Sequence, residues 1–258
     1  MSIYNDFAEY YDFDFGSFAA DIPLYREMAK RTGSPILELM CGTGRILVPL
    51  AEDGYTITGV DASTPMLEVA RHKVAEAGVA HRVTLIHDDV RTADLPAQHF
   101  ALAFVAINSF MHLERVKDQL AALAAIRRAL APDGLLIIDL FSPDPTQLSR
   151  EDNRLILERY YQVDGLRMFK FVASESDMAT QTSTMTYLFD ELAPDGQVMR
   201  RVLRFTMRWF YRYELEHLLA RAGFAVRSLY GSYDLDDYTS ASERLIAVAA
   251  LSKGFGAR

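Results

Sequence analysis

Short apolar runs alternate with amphipathic segments between residues 36 and 140. The runs have the length of strands, and they cover residues 36–40, 55–60, 83–87, 100–107 and 135–140. Apolar residues recur at helical spacing in the segments between several of them, at residues 45–52, 64–77 and 116–130. Strands this apolar, joined by helices, are typical of a parallel sheet that is covered on both faces. The pattern therefore predicts a doubly wound α/β fold.

The pattern changes after residue 141. Residues 142–153 are rich in Pro, Ser and Asp, and strand-like runs follow at 160–163, 168–173, 182–192 and 198–209. Asp-Gly pairs separate these runs at 164–165 and 195–196, and such pairs are strong hairpin signals. We therefore expect an antiparallel β insertion after strand five. A helix at 213–222 and strands at 224–231 and 245–251 complete the pattern.

These elements divide the chain into three parts. We expect residues 1–33 to form an N-terminal helical lid and residues 34–150 with 210–258 to form the core. Residues 151–209 are predicted to be an insertion that covers the active site.

Composition narrows the classes of partner. The net charge of −8 and the pI near 5.3 argue against a surface that coats nucleic acid, because such surfaces are basic. One cysteine excludes an internal disulfide framework and a cysteine-based zinc cluster, and the six histidines lack metal-ligand spacing. The sequence has no uncharged apolar stretch of membrane length and no basic-then-apolar start. We expect a cytoplasmic protein that binds neither nucleic acid, membrane nor metal.

The stretch from residue 36 to residue 61 carries the clearest chemistry. An apolar strand runs into a turn in which Gly42 and Gly44 allow the backbone to approach a ligand closely. Asp61 ends the second strand, where a carboxylate can accept hydrogen bonds from ribose hydroxyls. The pattern indicates a nucleotide-type cofactor, either a dinucleotide or another adenosine derivative. A dinucleotide favours a small residue at the third glycine position, which here is Leu47.

Five motifs in order favour the second alternative. The first is Glu-x-x-Cys-Gly-Thr-Gly at 38–44, followed by Gly-Val-Asp-Ala-Ser at 59–63 and His-Asp-Asp-Val-Arg at 87–91. Leu-Ala-Pro-Asp-Gly at 130–134 precedes strand five, and Ala-Gly-Phe at 222–224 precedes the penultimate strand. Together these motifs resemble the class I S-adenosylmethionine-dependent methyltransferases, whose fold has a mostly parallel seven-stranded sheet.

The resemblance implies roles for residues of the cofactor site. Glu38 would bind the amino group of the methionyl part of S-adenosyl-L-methionine, Gly42 and Gly44 would make room for it, and Asp61 would bind the ribose. The residues implied at the adenine are Ala62 and Met66 as walls, with Asp89 and the Val90 amide as readers of the ring edge. Asp88 is the alternative reader to Asp89. Cys41 is expected to be a small packing residue rather than a nucleophile.

The methyl group is expected to face the end of strand four. Ligands in open α/β sheets lie beyond the carboxyl ends of the strands, which places Ala106 beside the cofactor and Asn108 beside the substrate. His112 is a candidate general base, and a helix cap or a solvated residue is the alternative. The aromatic N-terminal helix resembles that of glycine and amino-sugar N-methyltransferases, in which a tyrosine closes over the site. Tyr11 is the candidate for that role, ahead of Tyr4 and Tyr10, although packing on the core is an alternative for the whole aromatic run.

The insertion adds candidates for substrate binding. Tyr187, Arg208 and Trp209 either line a pocket or belong to the face of a homodimer. The sequence thus predicts a methyltransferase that transfers a methyl group to N or O of a small molecule. The alternatives are a catalytically silent cofactor-binding or scaffold protein, an NAD(P) oxidoreductase, and a protein or RNA methyltransferase.

Overall fold

The structure is a computed structural model that describes residues 8–163 and 166–253. Tyr4 and the first Asp-Gly pair, at 164–165, lie outside the described residues. The described chain divides into two compact units, one containing residues 143–209 and the other containing residues up to 142 together with those from 210 onward.

The larger unit is built on a seven-stranded sheet. In chain order its elements are α1 (Ala8–Phe15), α2 (Ile22–Thr32), β1 (Ile36–Leu39), α3 (Leu47–Glu52), β2 (Ile57–Asp61), α4 (Thr64–Glu76), β3 (Val83–His87), β4 (Phe100–Val105), α5 (Val116–Ala129) and β5 (Leu130–Phe141), then α7 (Arg212–Arg221), β10 (Phe224–Tyr230) and β11 (Arg244–Leu251). Short 3-10 helices span Ala80–Arg82 and Ser109–His112.

The order of the strands confirms the predicted fold class. The sheet runs β10-β11-β5-β4-β1-β2-β3, with parallel pairing from β5 to β3 and antiparallel pairing of β11 with both β5 and β10. The chain leaves β1 toward β2 on one side and returns to β4 on the other. This reversal is the topological switch of an open α/β sheet, where ligands bind beyond the carboxyl ends of the strands.

The central strands are apolar because they are covered on both faces. All four residues of β1 are buried, and residues 245–250 of β11 are buried as well. The core cluster joins these strands to α2 and α3, with Tyr25 of α2 packed 4.5 Å from the ring of Phe104 in β4. This packing holds the carboxyl ends of β1 and β4 in place beneath the N-terminal helices.

Strand five differs from the sequence prediction at its start. We expected residues 132–134 to form a turn before a strand at 135–140, whereas β5 begins at Leu130. Leu130 pairs with Phe100 and Leu135 pairs with Leu102, so the pairing is irregular between them and the extra residues form a bulge. A Cβ on Gly134 would lie 2.2 Å from Leu130 Cδ2, which explains why glycine is needed where the backbone folds on itself.

The smaller unit contains a four-stranded antiparallel sheet, as predicted for the insertion. Its elements are α6 (Pro145–Glu151), β6 (Leu155–Val163), β7 (Leu166–Asp177), β8 (Thr182–Leu192) and β9 (Val198–Arg208), in the order β6-β7-β8-β9. The second Asp-Gly pair forms the predicted hairpin, in which Gly196 has φ +87° and donates to the Ala193 carbonyl oxygen. The expected cover over an active site stays a prediction.

Candidate functional site

The glycine turn follows β1 at the topological switch. Met40, Gly42 and Gly44 have φ values of +57°, +53° and +76°, and the Cys41 amide donates to the Val60 carbonyl oxygen of β2. Gly42 and Gly44 adopt this left-handed conformation without steric strain because they lack a Cβ, whereas Met40 adopts it despite its side chain. The turn therefore exposes backbone at the end of β1. Cys41 is buried, in keeping with a packing residue.

Asp61 joins this turn to the end of β2. Its Oδ2 accepts a hydrogen bond from the Gly42 amide and its Oδ1 accepts one from the Ser63 amide, each at 2.8 Å. Burial raises the pKa of the Asp61 carboxyl, and the hydrogen bonds from the backbone amides of Ser63, Gly42 and Ala62 oppose that shift. Each carboxylate oxygen has a second lone pair, so the side chain can still accept from a ligand.

Glu38 is a buried acid beneath the same turn. The residue is 3% exposed, and its Oε2 has no hydrogen-bond partner among the residues that the structure describes. Burial raises the pKa of Glu38 to about 8, with Arg45 opposing the shift and Asp21 and Asp61 adding to it. A buried acceptor without a partner is costly unless a ligand supplies a donor. The residues at this turn thus fit the ammonium end of an S-adenosylmethionine molecule.

The predicted adenine end lies at the ends of β2 and β3. Asp61 and His87 are neighbours across these two strands, and His87 Nε2 lies 3.1 Å from the Ala62 carbonyl oxygen. Met66 and Val90 are buried and Ala62 is exposed. Ser63 caps α4 by accepting from the Met66 amide at 3.4 Å, which fixes the start of that helix beside the site.

The two candidate acids at the adenine end have different surroundings. Asp89 accepts bonds from the Arg91 amide and guanidinium, which lowers the pKa of its carboxyl. Asp88 Oδ1 accepts a hydrogen bond from the Asp89 amide at 2.7 Å. Arg91 also reaches Asp118 of α5 at 3.2 Å. Both acids keep acceptor capacity, so the choice between them stays open as it was in the sequence.

The N-terminal helix lies over the glycine turn. A Cβ on Gly42 would lie 3.9 Å from Tyr11 Cζ, and burial raises the pKa of Tyr11 to about 12. On the next residue, Asp12 Oδ1 accepts from Thr43 Oγ1 at 2.8 Å and Asp12 Oδ2 pairs with Lys73 Nζ at 2.7 Å. The structure thus brings Tyr11 to the turn, whereas Tyr10 is buried at 7% exposure.

Arg45 and Asp21 form an ion pair that our sequence reasoning missed. The Asp21 carboxylate is fully buried and accepts two hydrogen bonds from the Arg45 guanidinium, each 2.6 Å long. Arg45 Nη1 also donates to the Phe18 carbonyl oxygen at 2.8 Å. The pair ties the residue after the glycine turn to the segment between α1 and α2. In the sequence, the signal for this ion pair was an arginine that directly follows the Glu-x-x-Cys-Gly-Thr-Gly motif.

The turn after β4 carries the predicted substrate-facing residues. Ile107 and Asn108 have φ values of +33° and +60°, and the short helix Ser109–His112 follows them. The Asn108 Oδ1 accepts from the Phe141 amide at 2.6 Å, so this oxygen supports the end of β5. Ala106 is buried and His112 is half-buried. These positions lie at the carboxyl end of β4, as expected.

Asp139 of β5 is a second buried acid that the sequence reasoning missed. It accepts hydrogen bonds from the Tyr25 and Tyr233 hydroxyls, each at 3.3 Å, and from the Ile107 amide at 3.2 Å. Its Oδ1 pairs with the Arg244 guanidinium of β11. The network holds the left-handed turn after β4 against β5. A single acid inside the apolar run Leu-Leu-Ile-Ile-Asp-Leu-Phe was the signal for it.

The candidates in the smaller unit do not share one face of its sheet. Tyr187 pairs with Leu203 across β8 and β9, and Arg208 pairs with Thr182 in the same register. Because side chains alternate along a strand, Tyr187 and Arg208 point to opposite faces. The Tyr187 ring packs 5.0 Å from Phe205, with Lys170 Nζ 4.0 Å from its centroid. Trp209 is buried, and its amide donates to the Gln181 carbonyl oxygen.

Within residues 8–163 and 166–253, no group of three or more His, Cys, Asp or Glu residues could hold a metal ion. No helix among the described residues has both the length and the apolar character that a membrane crossing requires.

Known proteins resemble the chain at three levels. Residues 36–134 match a family described as the methyltransferase domain. A putative methyltransferase, YqeM of Bacillus subtilis, is 26% identical over 227 residues, covering 84% of this chain and 84% of that protein. Among solved structures, the CcbJ methyltransferase of Streptomyces caelestis matches with a TM-score of 0.83 at 22% identity, over 98% of this chain and 99% of the other.

A further solved structure extends the likeness to a cofactor complex. CalS10 of Micromonospora echinaspora, an amino pentose methyltransferase with S-adenosylmethionine bound, matches with a TM-score of 0.70 at 21% identity. The match covers 98% of this chain and 92% of CalS10. At this identity the likeness establishes the fold alone, and the matched methyltransferase domain adds the reaction class. The resemblance found from the five motifs is thereby confirmed.

Proposed function

We propose that the protein, whose residues 36–134 match a methyltransferase domain, uses S-adenosylmethionine to methylate a nitrogen or oxygen of a small molecule. The acidic balance of the chain supports this class of acceptor, because a net charge of −8 disfavours nucleic acid. The similarity in fold to an amino pentose methyltransferase supports it as well. The expected location is the cytoplasm.

The unpartnered Glu38 Oε2 is the observation that carries the cofactor assignment. Bound S-adenosylmethionine supplies an electrophilic methyl group on a cationic sulfur. Glu38 accepts hydrogen bonds from its ammonium group, and Asp61 accepts them from its ribose hydroxyls. Ala62 and Met66 would hold the adenine on its two sides. Asp89, with Asp88 as the alternative, would read the edge of the ring together with the Val90 amide.

The residues near the acceptor mainly position it and exclude water. An amine acceptor in its neutral form needs no base, whereas an alcohol needs a general base, and His112 is the candidate at the end of β4. Tyr11 lies over Gly42, from which it would close over the bound cofactor and exclude water. Asn108 acts mainly through the turn that it stabilises, because its Oδ1 binds the Phe141 amide.

The cofactor assignment is tested by calorimetry on Asp61→Ala. Loss of the ribose acceptor should abolish measurable binding of S-adenosylmethionine, since two hydrogen bonds to a charged acceptor contribute about 3 kcal/mol or more together. Asp53→Ala removes an exposed acid that pairs with Arg26, and it should bind as the wild type does. Micromolar binding by a folded Asp61→Ala variant would contradict the assignment.

The reaction is tested on a panel of acceptors. The protein is incubated with S-adenosylmethionine and amino sugars, simple amines, amino acids, sugars and phenols, and mass spectrometry follows the gain of one CH₂ by each acceptor. Methylation of a member of the panel supports the proposal, and fragmentation of the product in the mass spectrometer shows whether nitrogen or oxygen carries the methyl group. Transfer only to a protein or an RNA tested in parallel would refute it. Tight cofactor binding without any transfer would instead favour the silent binding protein.

We also propose that the smaller unit forms a homodimer contact. Val202, Leu188, Phe171 and Leu157 lie in one row across the four strands, and the two end residues are 63% and 54% exposed. An exposed apolar row of this kind is typical of an interface, and a second copy would bury it symmetrically. Light scattering should give the mass of a dimer, and Val202→Glu should give a monomer. A wild-type monomer at micromolar concentration would refute this contact.

A further inference from the structure

Arg45 carries a donor that no described residue accepts from. Its guanidinium is bound to Asp21 and to the Phe18 carbonyl oxygen through the two terminal nitrogens, whereas the Nε is buried and has no hydrogen-bond partner within residues 8–163 and 166–253. The side chain is 7% exposed, so water is largely kept from it. A buried N–H without an acceptor is costly, so a ligand that accepts from it explains why this donor is kept.

The position of Arg45 identifies the place where that ligand binds. Arg45 follows Gly44 directly, at the end of the turn that exposes backbone beyond β1. Tyr11, whose ring lies over Gly42, feels the charge of Arg45, which opposes the rise in the pKa of the tyrosine. Arg45 and Glu38 also influence each other electrostatically. The free Nε donor therefore belongs to the same turn as the free Glu38 acceptor.

A donor and an acceptor at one turn match a zwitterion. The methionyl end of S-adenosylmethionine carries an ammonium group, which suits the buried carboxyl of Glu38, and a carboxylate, which suits an arginine donor. We propose that Arg45 Nε donates a hydrogen bond to this carboxylate. The assignment rests on the proposed function, because it presupposes this cofactor at the turn.

Asp21 defines how Arg45 recognises the carboxylate. The two 2.6 Å bonds fix the guanidinium and balance its charge, so the residue contributes a directed hydrogen bond more than a net attraction. Fixing the donor in advance lowers the entropy cost of binding. Arg45 is thus a specificity residue for cofactors that keep the carboxylate.

The test compares S-adenosylmethionine with decarboxylated S-adenosylmethionine by calorimetry. The wild type should bind the decarboxylated form about 10- to 100-fold more weakly, the range of a charge-assisted hydrogen bond. Arg45→Lys keeps the charge and removes the Nε, and we expect its preference to fall below about threefold. Arg26→Lys, which alters an exposed ion pair with Asp53, should keep the wild-type ratio.

The possible outcomes separate the Arg45 assignment from the proposed function. Equal binding of the two compounds by the wild type, or an unchanged ratio in Arg45→Lys, overturns the assignment while leaving the cofactor in place. Failure of the wild type to bind either compound overturns the proposed function itself. Should Arg45→Lys fail to fold, the assigned Arg45 Nε–H resonance of the wild type decides. It should shift with S-adenosylmethionine and not with the decarboxylated form, and equal shifts would refute the hydrogen bond.

Discussion

Cofactor binding should release a proton from Glu38. Burial raises the pKa of this carboxyl to about 8 in the cofactor-free structure, so the group is mostly protonated at neutral pH. An ammonium group beside it favours the ionised form, which lowers its pKa on binding. With a free pKa of about 8, roughly 0.9 of a proton leaves Glu38 per cofactor bound at about pH 7.

The same linkage makes the affinity depend on pH in a known direction. Because the raised pKa belongs to the free protein, binding should tighten as pH rises, by about tenfold per pH unit between about pH 5.5 and 7.5. Above about pH 8 the affinity no longer rises through Glu38, since its carboxyl is then already ionised before the cofactor binds. Burial is the largest cause of the raised pKa, so the effect depends on the low exposure of Glu38.

Calorimetry in buffers of different ionisation enthalpy measures the released proton. Glu38→Gln is the matched control, because it keeps the size of the side chain and removes the titration. The difference between the wild type and Glu38→Gln isolates Glu38 from the histidines and from the amino group of the cofactor itself. Equal proton release by the two proteins at about pH 7 would refute the reasoning, as would an affinity of the wild type that does not change with pH.

Two further predictions concern stability, measured by urea denaturation. Asp139→Asn should lower the free energy of unfolding by about 3 kcal/mol, because it removes a fully buried anion and leaves the half-buried Arg244 without its partner. Asp53→Asn at an exposed pair should cost about 1 kcal/mol or less, and equal costs of the two changes would contradict a buried network. Gly59→Ala should cost about 1 to 3 kcal/mol, because its Cβ would lie 2.6 Å from Leu47 Cδ1 and 2.8 Å from Cys41 Sγ. Leu47→Val should restore part of that loss, and a fully stable Gly59→Ala would show that the contact relaxes freely.

The fold could be predicted from the sequence because its signals are local. Apolar runs and helical spacing gave the strands of the parallel sheet, and the Asp-Gly pair at 195–196 gave a hairpin of the insertion. The bulge at residues 131–134 could not be predicted, because it depends on how the start of β5 pairs with Phe100. The observed strand ends also differ from the predicted ones by one to several residues, because the pairing partners decide where a strand stops.

The candidate site was predictable only where a motif is contiguous. Glu38, Gly42 and Asp61 were found because they stand at fixed places beside strand ends. Asp139 and Arg244 were missed because they are 105 residues apart and meet only when β11 pairs with β5. Tyr187 and Arg208 were grouped by residue type, and strand alternation then separated them. Long-range pairing is the part of a site that one sequence does not reveal.

The charges around the glycine turn suit a cationic ligand. The carboxyls of Asp21 and Asp61 both raise the pKa of the buried Glu38. Arg45 pairs with Asp21, so the acids left for a ligand are Glu38 and Asp61. S-adenosylmethionine carries a positive sulfur and an ammonium group against one carboxylate, and this net positive charge suits the two acids. After methyl transfer the sulfur is neutral, so the same acids attract the product less than the substrate, and this difference favours exchange of the spent cofactor.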